Sequence, residues 1–184
     1  MPRKHKIKLL IQDIVGDGCH VFVDAHVNHQ PARLLIDTGA SKTVLDKTFV
    51  MSLEPKVNLE QSEELSTGFG AGNIPSEFAN IIQFEVGDLT VNDISVAVLD
   101  LYHVNETYQK IGLPVLHGVV GGDLLLKHHA VIDYKKETLK LTSKKQKSHK
   151  KKTPKAKPAT NAAADATAES DATPQPVPDV DSNV

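Results

Sequence analysis

Along the first 142 residues, apolar and polar positions fall into short blocks of strand length. Residues 6–11 and 20–27 are β-rich runs, the second partly alternating. Asn28-His29-Gln30-Pro31 predicts a hairpin turn into residues 32–36. Residues 81–86 and 89–98 predict a second hairpin around Gly87-Asp88, and residues 130–134 with 139–142 a last one across 135–138. Two stretches read as helical, residues 46–51 and residues 101–111, the latter with Asn105 as its cap. Short strands at close spacing with few helices predict a closed or partly closed all-β domain over residues 1–142.

At Ser143 this patterning stops. Residues 144–157 hold eight lysines, and residues 160–184 are mostly Ala, Asp, Thr, Pro and Val with no aromatic. Such a segment buries too little apolar area to offset its ordering entropy, so residues 143–184 read as a disordered tail. The tail carries eight lysines against five carboxylates, so the body is more acidic than the net charge of −2 for the whole chain. The lysine run has the charge to touch nucleic acid, acidic membrane or the acidic body, but a solubilising role is the favoured reading. No aromatic interleaves the lysines, so base stacking has no support.

No apolar stretch is long enough to span a bilayer. The basic start, Met1 to Lys6, is followed by too short an apolar run for a secretory signal. Cys19 is the only cysteine, so no intrachain disulfide forms, and a reducing, cytoplasmic setting is expected.

The chemistry concentrates at Asp37-Thr38-Gly39-Ala40, between the apolar run Leu34-Leu35-Ile36 and Ser41-Lys42-Thr43-Val44-Leu45. A buried strand here delivers a carboxylate to a tight turn and then continues apolar. Read from the residues alone, Asp37 either serves chemistry or closes an Asx-turn on its own backbone. Two further segments stand out. Residues 65–75 place Gly68, Phe69, Gly70, Ala71 and Gly72 together, a composition suited to a mobile hairpin tip or a flexible loop. It lacks the Gly-Lys-Ser/Thr of a phosphate-binding loop. Residues 119–134 run Val119-Val120-Gly121-Gly122-Asp123, then an apolar helix-like stretch, then a strand. Asp123 reads as a helix-start carboxylate facing backbone N–H groups, in preference to a second catalytic acid.

Together these segments resemble the landmarks of retropepsin-like aspartic peptidases, in order and spacing, over roughly residues 18–142. The resemblance implies an acid-protease barrel with one or two short helices. It implies Asp37 as the catalytic carboxylate, with Thr38, Gly39, Ala40 and Ser41 supporting the active-site turn. Gly39 would allow close backbone approach and a positive φ. The glycine-rich segment would be the flap over the substrate, and Val120 and Gly121 the second landmark, packed close to the catalytic turn. Such enzymes polarise a water between two carboxylates that share one proton. This chain has one Asp-Thr-Gly, so the second carboxylate is expected from a second copy, in a two-fold homodimer. Ala40 stands where many two-lobed pepsins carry a hydroxyl, which predicts activity at mildly acidic to near-neutral pH. An extended peptide or protein is the expected substrate.

No cofactor is expected. The pairs His26/His29, His103/His117 and His128/His129 lack the spacing and companion ligands of a zinc site, so no metal is assigned. The competing readings are a non-catalytic peptide-binding or dimerisation module of the same fold, and a processor that cleaves only itself or one partner.

Overall fold

The computed structural model describes residues 2–14, 16, 18–62 and 76–144. The Gly68–Gly72 segment and residues 145–184 lie outside these.

The chain opens with β1 (Arg3–Lys8) and β2 (Leu10–Ile14). The run expected over residues 6–11 is therefore two strands. Leu9, fully buried, is the break, and its N–H bonds the Glu137 carbonyl at 2.9 Å. The two strands enter different sheets. β3 (Gly18–Val27) and β4 (Gln30–Ile36) form the expected hairpin. Its turn residues Asn28 and His29 both take positive φ, 46° and 69°, the pattern of a tight two-residue connection. The buried Asn28 side chain accepts the Gln83 N–H at 3.1 Å and so ties the hairpin to a later strand.

β5 (Val44–Asp46) leads into α1 (Lys47–Ser52), capped by the Asp46 carboxylate on the Phe49 N–H at 3.0 Å. β6 (Leu59–Ser62), β7 (Ser76–Val86) and β8 (Leu89–Leu99) follow. The β7–β8 turn needs Gly87, which takes φ +59° and lies so near Ile7 that a Cβ would sit 2.6 Å from its Cγ1. α2 (Tyr102–Lys110) matches the second expected helix, but Asn105 lies inside it. Its side chain instead bridges to Leu116, giving its amide to the carbonyl at 3.0 Å and accepting the N–H at 2.8 Å. β9 (Gly118–Val120), α3 (Gly122–Lys127), β10 (Val131–Asp133) and β11 (Thr138–Ser143) complete the body.

The all-β expectation holds. Strands β3, β4, β9, β5, β8 and β7 pair in that order, and β7 pairs back onto β3 to close a barrel. β2 and β6 extend it, and β1, β11 and β10 form a separate three-stranded sheet. The core is continuous between them: Val23, Leu34, Leu45 and Ile81 from the barrel pack with Ile7, Leu139 and Leu141. A smaller cluster of Phe22, Tyr108, Leu113 and Leu116 seats α2 on the outer face of β3. No described helix is long and apolar enough to cross a membrane.

Two histidines are built into this packing. His117 Nδ1 accepts the Arg33 N–H at 3.0 Å, and its ring meets Phe49 edge-on at 4.8 Å. Burial holds its pKa below the ordinary 6.5, against the pull of the nearby Asp46 carboxylate. Burial depresses His128 in the same way. A depressed folded pKa means that stability is complete above the unfolded value and is lost as pH falls through the folded one. The melting temperature should therefore drop as pH is lowered below 6.5. His117→Asn, whose amide oxygen can accept the same N–H without titrating, should flatten that drop in a thermal melt series.

Candidate active site

Residues 37–43 connect β4 to β5, and β9 passes between these two strands. β9 runs parallel to β4, with Ile36 opposite Val120, and antiparallel to β5, with Val44 opposite Val119. The connection therefore straddles the end of β9, and the chain leaving β9 passes beneath it. Space for this comes from Gly121, where a Cβ would lie 2.3 Å from the Lys42 carbonyl oxygen and 2.8 Å from the Thr43 nitrogen. Both are backbone atoms and cannot swing aside.

The contact is bonded throughout. Asp37 N–H donates to the Val120 carbonyl at 3.2 Å. The start of α3 then donates back to the loop. Gly122 N–H reaches the Ala40 carbonyl at 2.7 Å and Asp123 N–H the Ser41 carbonyl at 3.2 Å. Gly121 N–H donates to Thr43 Oγ1 at 3.2 Å, and that hydroxyl donates to Asp123 Oδ1 at 2.7 Å. The same oxygen accepts the N–H of Thr43 at 2.9 Å and of Leu124 at 2.8 Å. Thr43 is fully buried.

Asp123 does accept a backbone N–H at the helix start, from Leu124, and it also holds the Thr43 N–H and hydroxyl. Thr43 itself was not singled out from the sequence. Its signal was a hydroxyl residue inside an apolar run, where burial favours finding a hydrogen-bond partner.

Asp37 stands half-buried on the clamped loop, with Thr38, Gly39 and Ser41 exposed and Ala40 half-buried. One carboxylate oxygen accepts the Gly39 N–H at 2.8 Å. The Asx-type bond is thus present, and it orients the carboxylate. At Gly39 a Cβ would sit 3.2 Å from Asp37 Oδ1, a tight contact with a side-chain atom, and the expected positive φ is not adopted. Val120 is buried and Gly121 lies against the loop, so the structure brings the two sequence landmarks together. The other nearby carboxylates are committed to backbone. Asp123 holds Thr43 and Leu124, and Asp46 accepts from Phe49 and Leu101 at 3.0 Å each. Among the described residues, no group of three or more His, Cys, Asp or Glu is placed to hold a metal.

Removing the buried hydroxyl strands two groups. Thr43→Val keeps the shape but leaves Asp123 and the Gly121 N–H short of a partner, and should cost about 1–3 kcal/mol in a denaturant titration. Gly121→Ala should cost at least as much, because the clash is with backbone.

No curated protein sequence matches the chain. A retropepsin-like aspartic protease from Rickettsia conorii is similar in structure, with TM-score 0.49 and 20% identity, covering 77% of this chain and 93% of the other. The retroviral protease-like domain of Ddi1 from Leishmania major is similar with TM-score 0.43 and 16% identity, covering 65% and 86%. A family model described as aspartyl protease matches residues 23–124, which takes in the Asp37 loop, β9 and the start of α3. With more than half of its length matched, the chain belongs to the aspartyl protease family.

Proposed function

We propose that this protein is an aspartic endopeptidase in which Asp37 and the Asp37 of a second copy form the catalytic dyad. The observation that carries the reading is the state of Asp37. It is a half-buried carboxylate with one oxygen oriented by Gly39 N–H, on a loop fixed from below by Gly121, Thr43 and Asp123. The other oxygen makes no bond among the described residues and is available to water. Preorganised placement of this kind is what general acid–base catalysis requires.

One carboxylate does not complete the chemistry. A single acid cannot be ionised toward the water and protonated toward the scissile carbonyl in the same step. Asp46 and Asp123 are occupied as backbone acceptors, so a second Asp37 across a two-fold axis is the economical source. Thr38, exposed beside Asp37, would meet its counterpart at that axis. Attack by water on the carbonyl carbon would transfer a proton to the ionised carboxylate. The protonated one would stabilise the developing oxyanion, and collapse would break the C–N bond and protonate the leaving amine. The substrate class is an extended peptide, with Gly68, Phe69, Gly70, Ala71 and Gly72 as the segment proposed to cover it.

The test is cleavage of a mixed peptide library, read by mass spectrometry from about pH 4 to 7. Wild type should cleave, and Asp37→Asn should lose about 10²–10⁴-fold in rate. Specific activity should rise with protein concentration until dimers saturate. Cleavage that survives in Asp37→Asn would place the chemistry elsewhere. No cleavage by folded, dimeric wild type would favour the non-catalytic binding module.

A further inference from the structure

β1 is an edge strand. Its sheet runs β1-β11-β10, so β1 pairs on one side only. Among the described residues, no backbone group of residues 3–8 bonds outside that ladder. Its two faces differ sharply. His5 and Ile7 are buried, and Arg3 on their side reaches Asp88 at 3.0 Å, a carboxylate that also meets His5 Nδ1 at 2.8 Å. The other face carries Lys4, Lys6 and Lys8, all exposed.

The basic face continues across the sheet. Lys6 lies directly opposite Lys140 on β11, and Lys140 opposite the exposed Val131 on β10. A groove of about 380 Å³ crosses here, with Lys4, Lys6, His129 and Lys140 around Val131. Among the described residues, none of Lys4, Lys6, Lys8 and Lys140 takes part in an ion pair. The one carboxylate in register with them, Asp133 opposite Thr138, instead accepts the Lys136 N–H at 3.0 Å and sits 3.6 Å from its Nζ.

Like charges directly across a ladder are destabilising, so this arrangement carries a cost. Lysines on an edge strand deter edge-to-edge pairing, which accounts for β1 alone. It does not account for Lys140 on the central strand, nor for the groove. A second copy is a poor occupant, because antiparallel pairing about Lys6 would set Lys4 against Lys8 of the other chain.

We propose that the β1 edge binds an extended acidic protein segment as a fourth strand, with carboxylates at every second residue lying over Lys4, Lys6 and Lys8. Two residues of strand advance about 6.6–6.8 Å in host and guest alike. Acids at i, i+2 and i+4 therefore stay in step with the three lysines while the guest backbone takes the free edge. Lys140 adds charge behind the first row. This surface is separate from the Asp37 loop, and the inference does not rest on the peptidase reading.

The test uses the full chain as Asp37→Asn, so that bound peptide is not consumed. Three labelled probes are titrated by fluorescence anisotropy. One is a peptide alternating Glu with Thr or Val, one is its isomer with all Glu in a single block, and one is a single-stranded oligodeoxynucleotide. Amide hydrogen exchange of residues 3–8 is followed in parallel. The alternating peptide should bind about tenfold tighter than the block isomer and should slow exchange in residues 3–8. Lys4→Glu with Lys6→Glu should weaken it about tenfold or more, whereas Lys56→Glu with Lys110→Glu, an equal change in net charge, should not. Lysines 144–157 would bind either peptide alike and leave residues 3–8 unprotected. Equal binding of the two isomers, a preference for the oligonucleotide, or unchanged exchange at residues 3–8 would overturn the proposal.

Discussion

A buried hydroxyl is costly to leave unbonded, and the Thr43 hydroxyl is bonded twice, to Asp123 and to Gly121. The arrangement at the candidate site depends on that junction. An α-helix begins with four N–H groups that have no partner inside the helix. In α3 all four find one, and three of the four partners belong to the loop of residues 37–43. Gly121 N–H goes to Thr43 Oγ1, Gly122 to the Ala40 carbonyl, Asp123 to the Ser41 carbonyl, and Leu124 to the Asp123 side chain. The loop caps the helix and the helix holds the loop. Neither can relax without leaving buried polar groups unpaired, at about 1–3 kcal/mol each.

Reciprocal capping explains why the carboxylate can sit on a loop and still be held in place. Loops lack the ladder bonds that fix strands, and precision in a loop must be supplied by neighbours. Here the neighbours are β9 below and α3 behind, and they come close only because Gly121 has no side chain. The exposed tip at Thr38 and Gly39 is left free. A loop with a rigid base and an open tip is suited to placing one acid against a partner that arrives from outside the chain.

Much of this was legible in the sequence because it is local. The turn at Asn28 and His29, the hairpin at Gly87 and the short helix near Asp46 each follow from residues within a few positions of one another. Asp37-Thr38-Gly39 and Val120-Gly121 were legible as a family resemblance, and the bonded contact between them gives that resemblance a physical content. What the sequence concealed is long-range. Asp123 and Thr43 are 80 positions apart, and no periodicity marks a side chain that bonds across such a gap. Asn105 carried the composition of a cap, but the helix starts earlier, at Tyr102, and the Asn105 side chain bonds Leu116 instead. Leu9 looked like the middle of a strand. Its burial marks instead the point at which the chain leaves one sheet for another.

α3 also fixes the far side of the body. At its C-terminal end the His128 carbonyl accepts the Thr142 N–H at 2.7 Å and the Thr142 hydroxyl at 3.1 Å, while His128 Nδ1 meets the Thr142 carbonyl at 3.0 Å. Six residues of helix, about 9 Å long, therefore join the candidate catalytic loop to β11. β11 is the strand on which β1 is laid, so its lysine face and the Asp37 loop are anchored to the two ends of one short, stiff element. The buried side of β1 is secured separately, through Ile7 against Gly87 and through the pairing of Arg3 and His5 with Asp88. With its inner face held in two ways, the outer edge can stay open without the strand peeling away, which is the physical condition for a sheet edge that waits for a guest.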